Sequence, residues 1–211
     1  MLDNPSYLGN LVYMFLFSKC KYDTCEYYSA DDEEYCLHHV KDPKNCMDKI
    51  IRKLTENQRI NDLNASCLEI AGMDISGHIF EVCNFSEGTF KDIDFSRCNI
   101  ELSFFQYSTF ENCKFTESDI KYTVFAGCSF TDCDFSNSDI VHSNFIGVHA
   151  DRCIFDDSDL YYSNFTSSEL TEVSFVDCNL KKTDFVHSNR KAVSFKYSNY
   201  EEAHFEQDTI V

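Results

Sequence analysis

The sequence predicts an all-β solenoid, a chain that turns a corner every five residues, with a small Cys/His-rich and helical front end. Three observations carry that prediction. Of the 29 positions reached by stepping five residues at a time from Ile70 to Ile210, 26 are Phe, Ile or Leu, and they hold 17 of the 20 Phe. Two residues before each centre the chain favours something small, as at Cys83, Ser103, Ser118 and Thr123, and the residue between is often Asn or Asp. Nothing shifts this register, and a period of five suits neither an amphipathic helix nor a plain strand. One large and one small side chain pointing inward per corner satisfies it.

The front end, residues 1–69, has no such period. Its apolar run Leu11 to Phe17 is far short of the roughly twenty residues a membrane span needs, so it is expected to pack beside a neighbouring helix. Cys20, Cys25, Cys36 and His39 follow in Cys-x4-Cys-x10-Cys-x2-His order. Two close pairs joined by a turn are what tetrahedral zinc takes, and a closed set of four is structural rather than catalytic. In a chain with 12 Cys and 7 His, bystander thiols are the other reading. The intervening Asp31 to Glu34 is expected to be a solvated loop. Asp42-Pro43 then reads as an N-cap followed by proline at the first helical position. Met47, Ile50, Ile51 and Leu54 recur at helical spacing, predicting a helix over 43–57 that caps the open end of the solenoid.

The array, residues 70–211, resembles the pentapeptide-repeat family, whose unit is a small residue, Asn or Asp, a central Leu or Phe, and two outward residues. The resemblance implies a right-handed quadrilateral β-helix with four repeats per coil. The non-Phe centres Ile100, Ile120, Ile140, Leu160, Leu180 and Tyr200 recur every twenty residues and give the same count. About seven coils at about 4.8 Å make a rod of about 34 Å. Two centres predict irregularity: Ala150 leaves a gap, so a local distortion is expected over 147–152, and Arg190 must point outward or sit at an end. Cys113, Cys133 and Cys153, all at the small position, read as buried hydrophobes. The front segment also resembles a Cys-rich knuckle that precedes the repeats in some bacterial members; that resemblance carries over Cys20, Cys25, Cys36 and His39 as ligands, with His38 and Cys46 as lesser substitutes.

Thirty-six acidic residues against 18 basic give a net charge of −18. This argues against direct nucleic-acid binding, which needs Lys and Arg on phosphates, and favours a basic protein partner. The absence of a cationic leader, with Asp3 near the start, predicts a cytoplasmic protein with reduced thiols. No phosphate loop, nucleophile elbow or paired zinc-protease histidines appear, so an enzyme is not expected. On the surface, Asp119, Asp139 and Asp159 form an acidic column between Asn99 and Asn179. Quinolone-resistance members of the family bind gyrase as DNA mimics, and by resemblance such a column is a candidate contact for a type II topoisomerase. Those proteins pair through an apolar C-terminal extension, which Glu206 to Val211 does not resemble. Another side is uncharged: Phe104, Tyr107, Val124, Ala126 and Ile146 flank the centres there. The function expected is a non-catalytic protein-binding module, with a scaffold that self-associates into a homodimer through the uncharged side as the alternative.

Overall fold

The shape follows from where the backbone hydrogen bonds go. In a computed structural model that describes residues 17–205, the N–H groups of the array point along its axis and bond to the neighbouring coil. Phe105 donates to the Val124 carbonyl (2.7 Å) and Phe104 to the Cys83 carbonyl (2.8 Å), and the same pattern recurs throughout. Three-residue strands result. One parallel sheet stacks β1 (Arg59–Asn61), β3 (Ile79–Glu81), β5 (Asn99–Glu101), β7 (Asp119–Lys121) and β9 (Asp139–Val141). The other stacks β2 (Glu69–Ala71), β4 (Thr89–Lys91), β6 (Thr109–Glu111), β8 (Ser129–Thr131), β10 (His149–Asp151), β11 (Glu169–Thr171) and β12 (Asn189–Lys191). Single bridges from Asn64 to His204 and from Asp74 to Ser194 form the remaining two sides. The product is a four-sided parallel β-solenoid of about seven turns.

The ladder begins at Arg59, ahead of the position 70 from which the period is counted, because Ile60 already fills a centre opposite Phe80. Few glycines are needed because ordinary residues take the left-handed conformation two positions after the centres, including Val82 (φ 58°), Tyr107 (φ 61°) and His142 (φ 55°). Inside, phenylalanines stack coil on coil. Phe95, Phe115, Phe135 and Phe155 lie 4.7, 4.5 and 4.6 Å apart with rings within 3° of parallel. Each buried ring contributes about 1.5–3 kcal/mol relative to exposure.

The small position does more than leave room. Ser118 Oγ donates to the Phe95 carbonyl of the preceding coil (3.0 Å) and accepts from the Cys98 N–H (3.2 Å). Cys128 Sγ donates likewise to the Phe105 carbonyl (2.8 Å), and burial pushes its thiol up to about 12, keeping it a donor. Ser, Thr and Cys therefore recur here as buried hydrogen-bonding groups, a role that the reading of cysteine as a plain hydrophobe missed. None of the twelve cysteines is in a disulfide.

The distortion expected around Ala150 is absent. β10 keeps register with both β8 and β11, because the axial bonds His149 N–H to Cys128 O (2.9 Å) and Glu169 N–H to Val148 O (2.8 Å) do not depend on the central side chain. Val148, bulkier than the usual small residue, is buried beside Ala150. Arg190 is exposed on the terminal strand β12, and its guanidinium covers the Phe205 ring at 4.7 Å.

The helix α1 spans Pro43–Glu56, capped by Asp42, which accepts from Asn45 N–H (3.0 Å). Cys46, Ile50 and Leu54 are its buried residues, packed into the same core as Ile60 and Leu63. His78 Nε2 donates to the Leu54 carbonyl (2.9 Å), tying the helix end to the first coils. Of the apolar run expected beside α1, all but Phe17 lies outside the described residues. Phe17 itself packs against Tyr28 (5.8 Å) and lines a cavity of about 180 Å³ with Asn84, Phe104 and Gln106. No helix among the described residues is long and apolar enough to cross a membrane.

Candidate functional site

Residues 17–40 fold as a compact knuckle. An antiparallel bridge joins Lys19 to Tyr28, and Cys20 N–H bonds to the Tyr27 carbonyl (3.0 Å). Cys25 N–H bonds back to Tyr22 O (3.1 Å) through a turn in which Thr24 is left-handed (φ 65°). A second turn, His39 N–H to Cys36 O (2.9 Å), brings the imidazole beside Cys36. The acidic loop is not simply solvated: Asp31 pairs with Lys53 (2.6 Å) and Glu33 with Lys49 (2.8 Å), and Lys21 pairs with Glu34, so the loop fastens the knuckle to α1. Asp31 N–H to Asn64 O (3.0 Å) and Tyr27 Oη to Glu87 (2.8 Å) fasten it to the coils.

These turns bring Cys20, Cys25, Cys36 and His39 together. Their ligand atoms all lie within 4.8 Å of one another: Cys25 and Cys36 Sγ are 3.9 Å apart, Cys20 Sγ is 3.7 Å from His39 Nδ1, and Cys36 Sγ is 3.3 Å from it. A zinc tetrahedron with Zn–S of about 2.3 Å has sulfur–sulfur edges of about 3.8 Å, so the donor set fits the ion. Tyr22 stacks on the His39 ring at 3.9 Å and 5°, fixing its plane. Burial opposes ionisation of Cys20, but the N–H groups of Cys36 and Tyr22 and its contacts with His39 and Cys25 outweigh it and lower its pKa to about 6. Cys36 is pushed the other way, first by burial. The proposed substitutes are elsewhere: His38 sits edge-on to Tyr27 (5.2 Å), and Cys46 is buried in α1.

The acidic column is in register, Asp119 opposite Asp139 on β7 and β9, and Asp139 bridged to Asp159. Its end carboxylates are held by local partners, one cation and two neutral donors. Lys121 reaches Asp119 at 2.8 Å, Asn179 donates to Asp159 (2.9 Å), and Tyr161 N–H also donates to Asp159 (2.9 Å). On the uncharged side, Phe104, Val124 and Ala126 are half-buried, while Tyr107 and Ile146 are 70% and 39% exposed. The edge of the Tyr107 ring lies beside Gly127, where an added Cβ would come within 2.7 Å of it. Sequence reasoning took this side by itself and missed the corner leading into it, where Tyr122, His142 and Tyr162 stack at 5.3 and 5.0 Å. The signal was present as aromatic residues recurring at twenty.

In sequence, residues 108–147 match the pattern of pentapeptide repeats (eight copies) and residues 128–205 that of a pentapeptide repeat region. No curated protein matches the chain. In structure the chain is similar to HetL, a pentapeptide repeat protein involved in heterocyst differentiation regulation from the cyanobacterium Nostoc sp. strain PCC 7120: 9% identity over 78% of this chain and 98% of that one, TM-score 0.38. It is also similar to QnrB1, a plasmid-mediated fluoroquinolone resistance protein: 18% identity over 68% and 84%, TM-score 0.41. A pentapeptide repeat protein of the Arabidopsis thaliana thylakoid lumen shares 16% identity over 56% and 70%, TM-score 0.32.

Proposed function

The array makes this chain a pentapeptide-repeat protein, and from that premise we propose that it is a non-catalytic protein-binding module whose acidic surface engages a basic, DNA-binding partner. One observation carries the reading: a rigid, register-locked rod on which carboxylates recur at coil spacing in a chain of net charge −18. Its most specific version is mimicry of DNA toward a type II topoisomerase, with Asp119, Asp139 and Asp159 as the first contacts. Recurring negative charge along a narrow rod offers a basic groove what it normally finds on a duplex backbone. The inward positions are given over to packing and axial hydrogen bonds, so reactive groups are dispersed over an outer surface rather than gathered in a water-excluding pocket. That distribution favours binding over catalysis.

Cys20, Cys25, Cys36 and His39 hold one zinc ion in this reading. Four protein ligands leave no open position, so the ion supplies a structural staple. It draws the start and end of the knuckle together directly before α1 and steadies the cap on the first coil.

The test is titration of the full, metal-analysed chain into a gyrase supercoiling assay, with and without a quinolone, at two salt concentrations. Inhibition or protection that weakens as salt rises, and weakens further with Asp119, Asp139 and Asp159 all changed to Asn, is the expected result. No effect at micromolar chain at either salt removes the topoisomerase version.

A further inference from the structure

We propose that the apolar run Leu11 to Leu16, which precedes the described residues, lies as an extended segment along the uncharged side of the solenoid and covers it. The course of the chain leading into that run carries the inference. Ser18 and Ser29 stand beside Asp62 and Asn64 of the first coil, around a cavity of about 270 Å³. One residue earlier, Phe17 reaches past them to line a second cavity, of about 180 Å³, with Asn84 and Phe104 of the following two coils and with Gln106. Stepping back from Ser18 to Phe17 therefore moves the chain up the rod and onto this side. Its root is fixed: Ser29 N–H donates to the Ser18 carbonyl (2.8 Å), Asn64 Nδ2 donates to the Ser29 carbonyl, and the Phe17 ring packs against Tyr28 at 5.8 Å.

Beyond Phe17 that course follows two rows of outward residues, Phe104, Val124 and Asn144 in one and Gln106, Ala126 and Ile146 in the other. Neither row carries a charge over these coils, and Asn10 to Phe17 carries none either. Gln106 supplies a second, independent observation. Its side-chain oxygen is closed off from solvent, yet no described residue donates a hydrogen bond to it. Buried acceptors are ordinarily satisfied, and a backbone N–H of a segment entering the same cavity supplies the donor. The lengths agree as well. Six extended residues span about 20 Å, and the three steps from the coil of Phe104 to that of Asn164 cover about 14 Å, so the run is long enough to follow the uncharged rows to their end. Alternation along an extended segment sets Phe15, Tyr13 and Leu11 on the same face as Phe17, toward the rod. Because the run is tethered at Phe17, its local concentration at these rows exceeds that of a second copy, which selects the occupant. The run is thereby placed on a side of the rod and not against α1.

This inference is independent of the topoisomerase reading, which uses the acidic side. The experiment is photo-crosslinking of the full chain with Phe15 replaced by p-benzoylphenylalanine, the products mapped by mass spectrometry. The expected product is intramolecular, joins residue 15 to the stretch 124–126 or 144–146, and forms in a yield unchanged by about tenfold dilution. A cross-link to residues 43–57, one that forms only between copies, or none at all overturns the proposal. Limited chymotrypsin digestion is the second measurement. Val124→Glu, which sets a carboxylate in the row, speeds cleavage at Tyr13 and Phe15 by at least about tenfold and abolishes the cross-link. Ser129→Glu, the same position on the neighbouring side, changes neither. Circular dichroism checks that both variants keep the coils. A Val124→Glu chain cleaved no faster than the Ser129→Glu chain also overturns the proposal.

Discussion

At Val82 a β-branched residue is held at φ 58°, a region such side chains avoid at a cost of about 1–2 kcal/mol. Val82→Asn, which tolerates that conformation, is expected to stabilise the chain by about 1 kcal/mol, read as a rise in Tm; an unchanged or lower Tm counts against corner strain. Ser118→Ala should act oppositely. It removes the hydroxyl that takes a second bond from the Cys98 N–H and gives one to the Phe95 carbonyl inside the core; those two groups stay bonded to each other (3.2 Å), so the expected loss is about 0.5–1.5 kcal/mol. If Ser118→Ala melts with wild type, the small position is only about volume. The centres and the small positions were legible because each repeats many times. The bonds of the small position were not, since a hydroxyl pointing along the axis and one merely fitting a gap leave the same sequence trace.

Among the elements, the helix was legible to within a residue, 43–57 expected and Pro43–Glu56 found, because Asp42-Pro43 marks its start chemically. The docking of the knuckle was not. Tyr27 to Glu87 and Asp31 to Lys53 join residues far apart in sequence, and no local pattern announces them. The Tyr27 bond predicts a pH dependence. Its hydrogen bond to Glu87, with that carboxylate's charge and some burial, raises the phenol to about 12, against about 10 when free. The folded-state value is the higher, so the contribution is complete below about pH 10 and disappears as pH climbs toward 12. Comparing tyrosinate absorbance of wild type and Tyr27→Phe should show one late-titrating group missing from the variant. Metal removal tests the other joint. Chelation, or Cys36→Ser, is expected to raise hydrogen exchange over residues 17–57 while the coils from Phe80 onward stay protected. Equal loss of protection in both regions would show that the knuckle and the coils unfold together.

For the molecule as a whole, fold and charge were readable in advance, and the two ways of using the surface make different demands on salt. Partner binding through the acidic column should weaken as ionic strength rises, whereas seating of the apolar run on the uncharged side should not. Measuring both on one preparation separates them. The columns inside are not alike. Those through Phe95 and Phe105 carry rings from coil to coil almost to the end, but the one through Phe90, Phe110 and Phe130 passes to Ala150, Leu170 and finally Arg190. The backbone does not register the change, yet a load applied along the axis would. Pulled from its two ends, the rod should tear first at the coil carrying Ala150, where a second of its four seams joins the Ile140–Leu160 seam in having no ring, and holds only a methyl group. A force trace would then show a weak early rupture, followed by the near-equal steps of the better-filled coils.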